Sequence, residues 1–392
     1  MSSTVVPVLG PDVAPIDGLE DLIVHLDELV ADPQTELNPK IFDFVELQLS
    51  ESNIPPILPC LLPKLTDILK TTPHDPAVPV SLTIKLLGPV SFSHALTLAD
   101  QDALISALSS PAPSAKALAM TILHKAAASP SDTAHLATMP LLLSHFLHTW
   151  LATPQVEVGE KASRVLGDLL ETDATAEPIR RPSSHTAAIT VDGVVWANGS
   201  TATSTAEPAH LRPRGQGTLW HRLFHDPTLY THLYSLPRGK DILAASDLTA
   251  HQTTLAQGRI LRILPRLAAL NFAAVTQPPQ PTLAPVPDQL AGVDVDTSTG
   301  LLPFAALRMV DKEDVLMHRN LVHFFEGLLS LLRLRVDMGG PEKDLIVRTM
   351  TGLLAEATAD DATLRDALRS LPDRTVHEEK DGLRAFVDLV FP

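Results

Sequence analysis

Two histidines spaced one helical turn apart are the residues best placed to bind a metal ion. His221 and His225 would project from one side of a helix, and His232 would continue that side only if the helix ran unbroken. Asp226-Pro227 instead predicts a new helix start, because aspartate caps helix N termini and proline suits the first helical position. No carboxylate stands at the usual ligand spacing between the two histidines. We therefore expect no metal site and no cofactor.

Other residue types that support catalysis lack the partners that the chemistry would need. Cys60, the single cysteine, lies on an apolar stripe where nothing nearby would activate it, so we expect a buried structural thiol. Gly215 and Gly217 lack the third glycine of a dinucleotide-binding loop and are interpreted as the lead into a helix. The sequence contains no nucleophile elbow, phosphate loop or zinc-protease motif. We expect no catalytic residue, and we expect the pairs His145/His148 and His318/His323 on helix surfaces or half-buried.

Three arginines are spaced three and four residues apart on one face of a long predicted helix. They are Arg259, Arg262 and Arg266. This basic stripe has two interpretations in an acidic chain. It could bind carboxylates or the C terminus of a partner, which arginine engages through two parallel hydrogen bonds. It could equally be a solvated face that is balanced by acids on the neighbouring helix.

The densest aromatic cluster surrounds Arg222 in a chain that is only 4% aromatic. The cluster is either part of the core or an anchor for a partner, since Trp, Tyr and Arg dominate interface hot spots. Both hold if the rings point inward and Arg222 points outward. Arg222 and the three arginines of the stripe form the predicted partner-binding set. The apolar members of the cluster are Trp220, Leu223, Phe224, Tyr230, Leu233 and Tyr234.

The elements that must position these residues are predicted to be helices, because apolar residues recur every three and four positions along most of the chain. Prolines that mark helix starts lie 37, 37 and 41 residues apart, at Pro39, Pro76, Pro113 and Pro154. That interval matches the HEAT and armadillo repeat of roughly 40 residues. The sequence therefore predicts an all-α, HEAT/armadillo-like helical-repeat solenoid with a long polar insertion. An irregular helical bundle is the alternative.

Stretches rich in Thr, Ser and Pro divide the predicted helices. Residues 172–216 are predicted to be a flexible insertion, in which two strand-like runs around Asp192-Gly193 indicate a hairpin. Residues 277–300 are predicted to be a Pro-rich linker. The remaining predicted ranges are a flexible N terminus at 1–16 and helical repeats at 17–171, 217–276 and 301–392.

Composition narrows the class of partner. The chain of 392 residues carries a formal net charge of −16, which disfavours nucleic acid and favours a basic surface on a partner protein. No apolar run reaches the roughly 18 residues of a membrane span, and the start lacks the basic region of a secretory signal. One cysteine excludes an internal disulfide. We expect a protein of the cytosol or the nucleus that is monomeric when no partner is bound and does not contact membranes.

Two stretches carry a resemblance to a known family. Gly217-Thr-Leu-Trp-His-Arg-Leu-Phe-His-Asp-Pro-Thr-Leu-Tyr230 and Leu255-Ala-Gln-Gly-Arg-Ile-Leu-Arg-Ile-Leu-Pro-Arg-Leu267 resemble the fungal branch of the proteasome non-ATPase regulatory subunit five family, whose yeast member is often labelled a mismatch-repair protein. The likeness also covers the Pro-punctuated first half and the helix predicted at 312–336. The resemblance implies a curved helical-repeat chaperone that assembles the base of the proteasome regulatory particle. Such a protein would bind the C-terminal domain of one ATPase-ring subunit during assembly and would be absent from the mature proteasome.

Two other function classes stay open. One is an armadillo-type adaptor, such as a nucleotide-exchange factor of an Hsp70 chaperone or a transport adaptor. The other is a nucleic-acid-linked repair factor, which the acidic charge disfavours. The resemblance brings no catalytic residue with it.

Overall fold

The computed structural model describes residues 15–72, 75–175, 189–191, 194–196, 214–278 and 299–391. Across this part of the chain it has 19 α-helices, and strand is confined to two short antiparallel pairs. The predicted all-α, solenoid-like fold class is confirmed. The helices form two compact units, Met1–Ala128 and Ser129–Pro392. The predicted N-terminal range 1–14 and most of the insertion and linker lie outside the described residues.

The first unit contains seven α-helices among its described residues. The largest helix–helix contacts within it join the first helix to the third, the third to the fourth, the fourth to the seventh and the sixth to the seventh. A 3₁₀ turn at Lys125–Ala128 closes the unit. The helices are α1 (Leu19–Ala31), α2 (Pro39–Glu46), α3 (Ile54–Thr71), α4 (Ala77–Leu86), α5 (Phe92–Leu98), α6 (Gln101–Ser109) and α7 (Pro113–His124).

Helix starts in the first unit follow the capping chemistry visible in the sequence. The carboxylate of Asp100 accepts a hydrogen bond from the backbone N–H of Ala103 at 2.9 Å, and Pro39 and Pro113 stand in first turns. α5 was not predicted. α3 departs from the rule that proline marks a start, because Pro59 and Pro63 lie inside it.

The second unit contains twelve α-helices among its described residues. They are α8 (Pro130–Ala137), α9 (Pro140–Ala152), α10 (Val156–Thr172), α11 (Thr218–His225), α12 (Pro227–Ser235), α13 (Ala250–Leu270), α14 (Phe272–Thr276), α15 (Leu301–Leu307), α16 (Val315–Asp337), α17 (Lys343–Ala357), α18 (Ala362–Ser370) and α19 (His377–Val390).

The long helix α13 is the centre of the second unit. It packs against α16 over the most extensive contact in the molecule, and also against α9 and α10. Its start is a capping box, in which Thr249 Oγ1 accepts from the backbone N–H of Gln252 and the Gln252 side chain accepts from the backbone N–H of Thr249. This packing buries Ile260, Leu264 and Leu267.

The predicted insertion leaves and rejoins the second unit at one point. The backbone N–H of Gly215 donates to the carbonyl of Ala174 at 3.2 Å, and that of Gly217 donates to the carbonyl of Asp173 at 3.0 Å. The buried Asp173 carboxylate also accepts from the backbone N–H groups of Leu219 and Trp220, at 2.7 and 3.0 Å, and so caps α11. Residues 172–175 and 214–216, at the two ends of the predicted insertion, thus lie on the helical scaffold.

The predicted linker also leaves the second unit and rejoins it at a single point. A Cβ atom on Gly300 would lie 2.2 Å from the carbonyl oxygen of Thr276, so the chain returns to where α14 ended. The hydroxyl of Tyr234 donates to the carbonyl of Thr299 at 2.7 Å and holds this return in place.

Strand is present where the hairpin was predicted. Strand β1 (Ile189–Val191) pairs antiparallel with β2 (Val194–Trp196), and Ile189 lies opposite Trp196. Asp192 and Gly193 lie outside the described residues. A second short pair, β3 (Lys240–Asp241) and β4 (Ser246–Asp247), was not predicted.

Candidate partner-binding site

Arg259 is buried in the contact between α13 and the end of α9. Its Nη1 donates to the carbonyls of Trp150 and Leu151 at 2.9 and 3.1 Å, and its Nη2 donates to the carbonyl of Gln155 at 3.3 Å. The carbonyls of Trp150 and Leu151 are among those that the C terminus of α9 leaves without an intrahelical partner, whereas the carbonyl of Gln155 also accepts from the backbone N–H of Gly159 at 3.1 Å. Burial lowers the pKa of Arg259 to about 10, so the guanidinium stays charged at neutral pH. Arg259 is only 5% exposed and its bonds are internal.

Arg266 likewise joins two helices, α13 and α10. Its Nη2 donates to Asp168 at 2.7 Å and to Glu171, both at the end of α10. Despite the opposing effect of burial, these two carboxylates raise the pKa of Arg266. The ion pairs place the side chain within the scaffold.

Arg262 lies between these two arginines in the sequence but faces solvent. Its side chain is 62% exposed and pairs with Glu160, which is itself 45% exposed. The interpretation that acids of a neighbouring helix balance the stripe therefore describes Arg262 and Arg266. Exposed ion pairs of this kind contribute about 0–1 kcal/mol, so a partner carboxylate could replace Glu160 at little cost.

Arg222 is the outward-facing member of the aromatic cluster. Its Nε donates to the carbonyl of Ala137 at 3.1 Å, and its Nη1 pairs with Asp226 at 3.3 Å while 41% of the side chain stays exposed. Arg222 and Arg262 thus remain predicted partner contacts. Burial and internal bonds disfavour Arg259 and Arg266 as partner contacts, because Nη1 and Nη2 of Arg259 and Nη2 of Arg266 donate to groups of α9 and α10 or the turn between them.

No protein-family model matches the chain, and no curated protein matches it.

Two glycines on α10, which were not among the predicted functional residues, explain where Arg259 and Arg266 lie. A Cβ atom on Gly159 would lie 2.2 Å from Arg259 Nε, and one on Gly167 would lie 2.1 Å from Arg266 Nη1. Gly159 and Gly167 therefore leave the space in which the guanidinium groups cross α10. The sequence did contain a signal for this packing. The two glycines are eight residues apart on α10, and the two arginines are seven residues apart on α13, so the two pairs can align when the helices pack.

The aromatic rings point inward, as one interpretation of the cluster required. Trp220 stacks on Phe224 with ring centroids 5.4 Å apart, and the indole N–H donates to the carbonyl of Leu170 at 2.8 Å. Tyr230 and Tyr234 are fully buried, with their hydroxyls 2.6 Å apart. The rings therefore form core, and Arg222 alone of this cluster keeps a polar group at the surface for a partner.

The histidines are arranged as the break at Asp226 predicted. α11 ends at His225 and Asp226 caps α12, so His232 does not continue the face of His221 and His225. Within the described ranges, no group of three or more His, Cys, Asp or Glu side chains is arranged to hold a metal ion. Cys60 is half-buried rather than buried, and partial burial raises the pKa of its thiol.

A buried polar cluster in the second unit was not predicted. Nε2 of His232 lies 2.8 Å from Ser144 Oγ, and Nε2 of His148 lies 2.7 Å from Asp241 Oδ2. Burial, with a smaller contribution from the nearby His148 and His145 and against the opposing effect of Asp241, lowers the pKa of His232 to about 4. These side chains join α9, α12 and β3 and leave His232 neutral at physiological pH.

Among the described residues, no helix combines the length and apolar character needed to cross a lipid bilayer.

Proposed function

We propose that this protein is a non-catalytic assembly chaperone that binds the C-terminal domain of a proteasomal ATPase subunit during assembly of the regulatory-particle base. The observation that carries the proposal is where the two stretches of family resemblance lie. Gly217–Tyr230 covers α11 and the start of α12, and Leu255–Leu267 lies within α13. Both stretches line one apolar cavity of only about 10 Å³, to which they contribute Leu223, Phe224, Ile260, Ile263, Leu264 and Leu267.

This shared core supports the proposal because a resemblance that reflects a common fold should fall on residues that pack together. The tight packing also makes this part of the second unit a rigid support. A rigid support favours binding because fewer side chains must be ordered when the partner arrives.

The charges on this support suit a partner that presents carboxylates. Arg222 and Arg262 keep 41% and 62% of their side chains exposed, and each makes one ion pair, with Asp226 and Glu160 respectively. A partner could take over such pairs with a small change in free energy. We expect binding to weaken with salt, since exposed charges are screened over about 10 Å at 0.1 M.

Affinity purification of the tagged full chain, followed by mass spectrometry, tests the proposal. Co-purification of proteasomal ATPase subunits without the proteasome core particle is the expected result. Recovery of an Hsp70 chaperone or of importins in their place would support the adaptor function and overturn the proposal.

A matched pair of variants connects this purification to the surface. Arg262→Glu should reduce recovery of the ATPase subunit. Arg384→Glu is the control, because Arg384 is also exposed and also pairs with a carboxylate, Asp373 at 2.6 Å, but lies on α19. Equal recovery with both variants would remove Arg262 from the interface.

A further inference from the structure

The outer faces of α1 and α2 carry large apolar side chains in contact with water. Leu47, just beyond the end of α2, is 86% exposed, Phe44 is 52% exposed and Val24 on α1 is 49% exposed. Lys40, Asp43, Phe44 and Leu47 are all exposed at three- and four-residue spacing, so they form one outward stripe. Scattered single apolar residues are ordinary on a surface, but a stripe that also meets a neighbouring helix is a common feature of interfaces.

α1 and α2 meet at this stripe. A Cβ atom on Gly18 would lie 3.1 Å from the ring of Phe44, which places the ring over the start of α1. The side chain of Gln48 fixes the junction, since it accepts from the backbone N–H of Asp17 at 2.9 Å and donates to the carbonyl of Asp17 at 3.1 Å. Phe44 is therefore held in place while half of its surface stays in water.

The charge around this stripe is almost entirely negative. Between residues 17 and 51 the only Lys or Arg is Lys40, against a series of Asp and Glu residues. Lys64 from α3 neutralises Asp27, and Glu46 accepts a hydrogen bond from Ser81 of α4. Glu20 and Asp21 are exposed about one helical turn before Val24 on α1, and the exposed Asp43 precedes Phe44 in α2.

We propose that the outer faces of α1 and α2 bind an amphipathic helix of a partner protein, one that carries Lys or Arg beside an apolar stripe. The apolar stripe of that helix would cover Phe44 and Leu47, and its basic side chains would face Glu20, Asp21 and Asp43. Helix docking onto an apolar surface through side chains at i, i+3, i+4 and i+7 is a recurring mode of recognition. Opposite charges would set the orientation and increase the association rate.

The same acidic charges disfavour other kinds of partner for this surface. An anionic lipid surface would be repelled by the acidic side chains, as would nucleic acid. A second copy docking through the same face would bring the two acidic surfaces together, which like-charge repulsion opposes. An extended strand would need a free sheet edge, and the described residues of the first unit contain no strand.

The test uses the full chain and two synthetic helical peptides of 18 residues, labelled with a fluorophore. One is an amphipathic Leu/Lys peptide, and the other has Glu at every Lys position. Fluorescence anisotropy should show saturable binding of the Leu/Lys peptide that weakens as salt rises, and no binding of the Leu/Glu peptide. Equal binding of the two peptides would mean that apolar contact alone drives the interaction, which would overturn the proposal.

Two double variants locate the surface. Phe44→Ser with Leu47→Ser should weaken binding of the Leu/Lys peptide by at least about tenfold, because buried aromatic and aliphatic anchors dominate such interfaces. Val315→Ser with Leu316→Ser is the control. These residues are 83% and 63% exposed and also follow acidic residues, but they lie at the start of α16. Circular dichroism should show nearly unchanged helical content in both, since Leu47, Val315 and Leu316 lie mostly in solvent and Phe44 is half exposed.

The charge variant Asp21→Asn with Asp43→Asn gives an independent readout. It should reduce the salt dependence of binding while leaving the apolar anchors in place. Unchanged affinity in the Phe44 and Leu47 variant, or an equal loss in the Val315 and Leu316 control, would contradict the proposal. Neither result depends on whether a proteasomal ATPase subunit binds the second unit.

Discussion

Arg259 acts at the residue scale as a cap for the C-terminal end of α9, and its replacement should destabilise the fold. Arg259→Met keeps the aliphatic stem but leaves the carbonyls of Trp150 and Leu151 without this donor, and it removes one of the two donors to the carbonyl of Gln155. We expect a loss of about 2–4 kcal/mol in the free energy of unfolding, since buried groups without partners cost about 1–3 kcal/mol each and relaxation recovers part of this. Denaturant unfolding measures the change.

Arg262→Met is the matched control for that measurement. Its side chain is 62% exposed and makes a surface ion pair, so the free energy of unfolding should change by less than about 1 kcal/mol. Equal stability of the two variants would show that Arg259 is not part of the scaffold.

Gly167 and Gly258 provide a second pair in which one substitution should harm and the other should help. A Cβ atom on Gly167 meets Arg266 Nη1 at 2.1 Å, so Gly167→Ala must displace Arg266 from Asp168 and Glu171. A Cβ atom on Gly258 meets nothing within 4 Å, so Gly258→Ala should raise stability by about 0.5–1 kcal/mol through helix propensity. We expect a lower melting temperature for Gly167→Ala and a higher one for Gly258→Ala. Equal rises in both variants would contradict the close approach of Arg266 to Gly167.

His232 should make stability depend on pH. Burial lowers its pKa to about 4, below the value of about 6.5 for an unfolded chain, so the unfolded state binds the proton first. The free energy of unfolding should therefore fall as the pH drops from about 6.5 to about 4, by up to roughly 3 kcal/mol. His145, whose pKa is also lowered by burial, acts in the same direction, whereas Asp241 pairs with His148 and affects only lower pH.

His232→Gln separates this effect from other titrations. Glutamine can still bond to Ser144 Oγ but does not titrate, so the pH dependence between about 6.5 and about 4 should become shallower. Urea unfolding at a series of pH values measures the slope. A slope identical to that of the original protein would contradict the assignment.

At the scale of elements, local chemistry predicted most helix starts and failed where tertiary packing decides. Asp100, Asp226 and Asp361 each cap a helix that the sequence predicts, because the capping residue and the helix it starts are adjacent in the chain. The short helices α5, α8, α14 and α15 were missed, since elements of five to eight residues show too little periodicity. Pro265 lies inside α13, where packing on several helices outweighs the lost hydrogen bond.

The insertion can be shortened more safely than its composition alone indicated, provided that its ends are kept. Replacing residues 176–213 with a short Gly/Ser linker should leave the melting temperature nearly unchanged, because Ala174 and Gly215 are already joined by a backbone hydrogen bond. A large fall in melting temperature on this replacement would show that the removed residues pack against the core.

Asp173→Ala is the companion variant to this deletion. It removes the acceptor for Leu219 and Trp220 at the start of α11 and should cost about 1–2 kcal/mol or more, since the carboxylate is buried. A stable Asp173→Ala variant would show that the cap is dispensable.

At the scale of the whole molecule, the fold class was predictable but the site was not. Helical periodicity and proline spacing indicate stacked helices before any contact is known. The fate of the arginine stripe depends on Gly159 and Gly167 of α10, which lie about 100 residues earlier in the chain and align with Arg259 and Arg266 only after folding. A stripe of like charges on one helix thus predicts a contact, but the sequence does not show whether that contact is with another helix of the same chain or with a partner.

The central claim is that the protein binds a proteasomal ATPase subunit, and isothermal titration calorimetry tests it most directly. The purified full chain would be titrated with the purified C-terminal domain of each ATPase subunit of the base. We predict saturable binding to one of them, weakened about tenfold by Arg222→Glu with Arg262→Glu and unchanged by Arg384→Glu. Absence of binding to every ATPase domain by a folded protein would contradict the account.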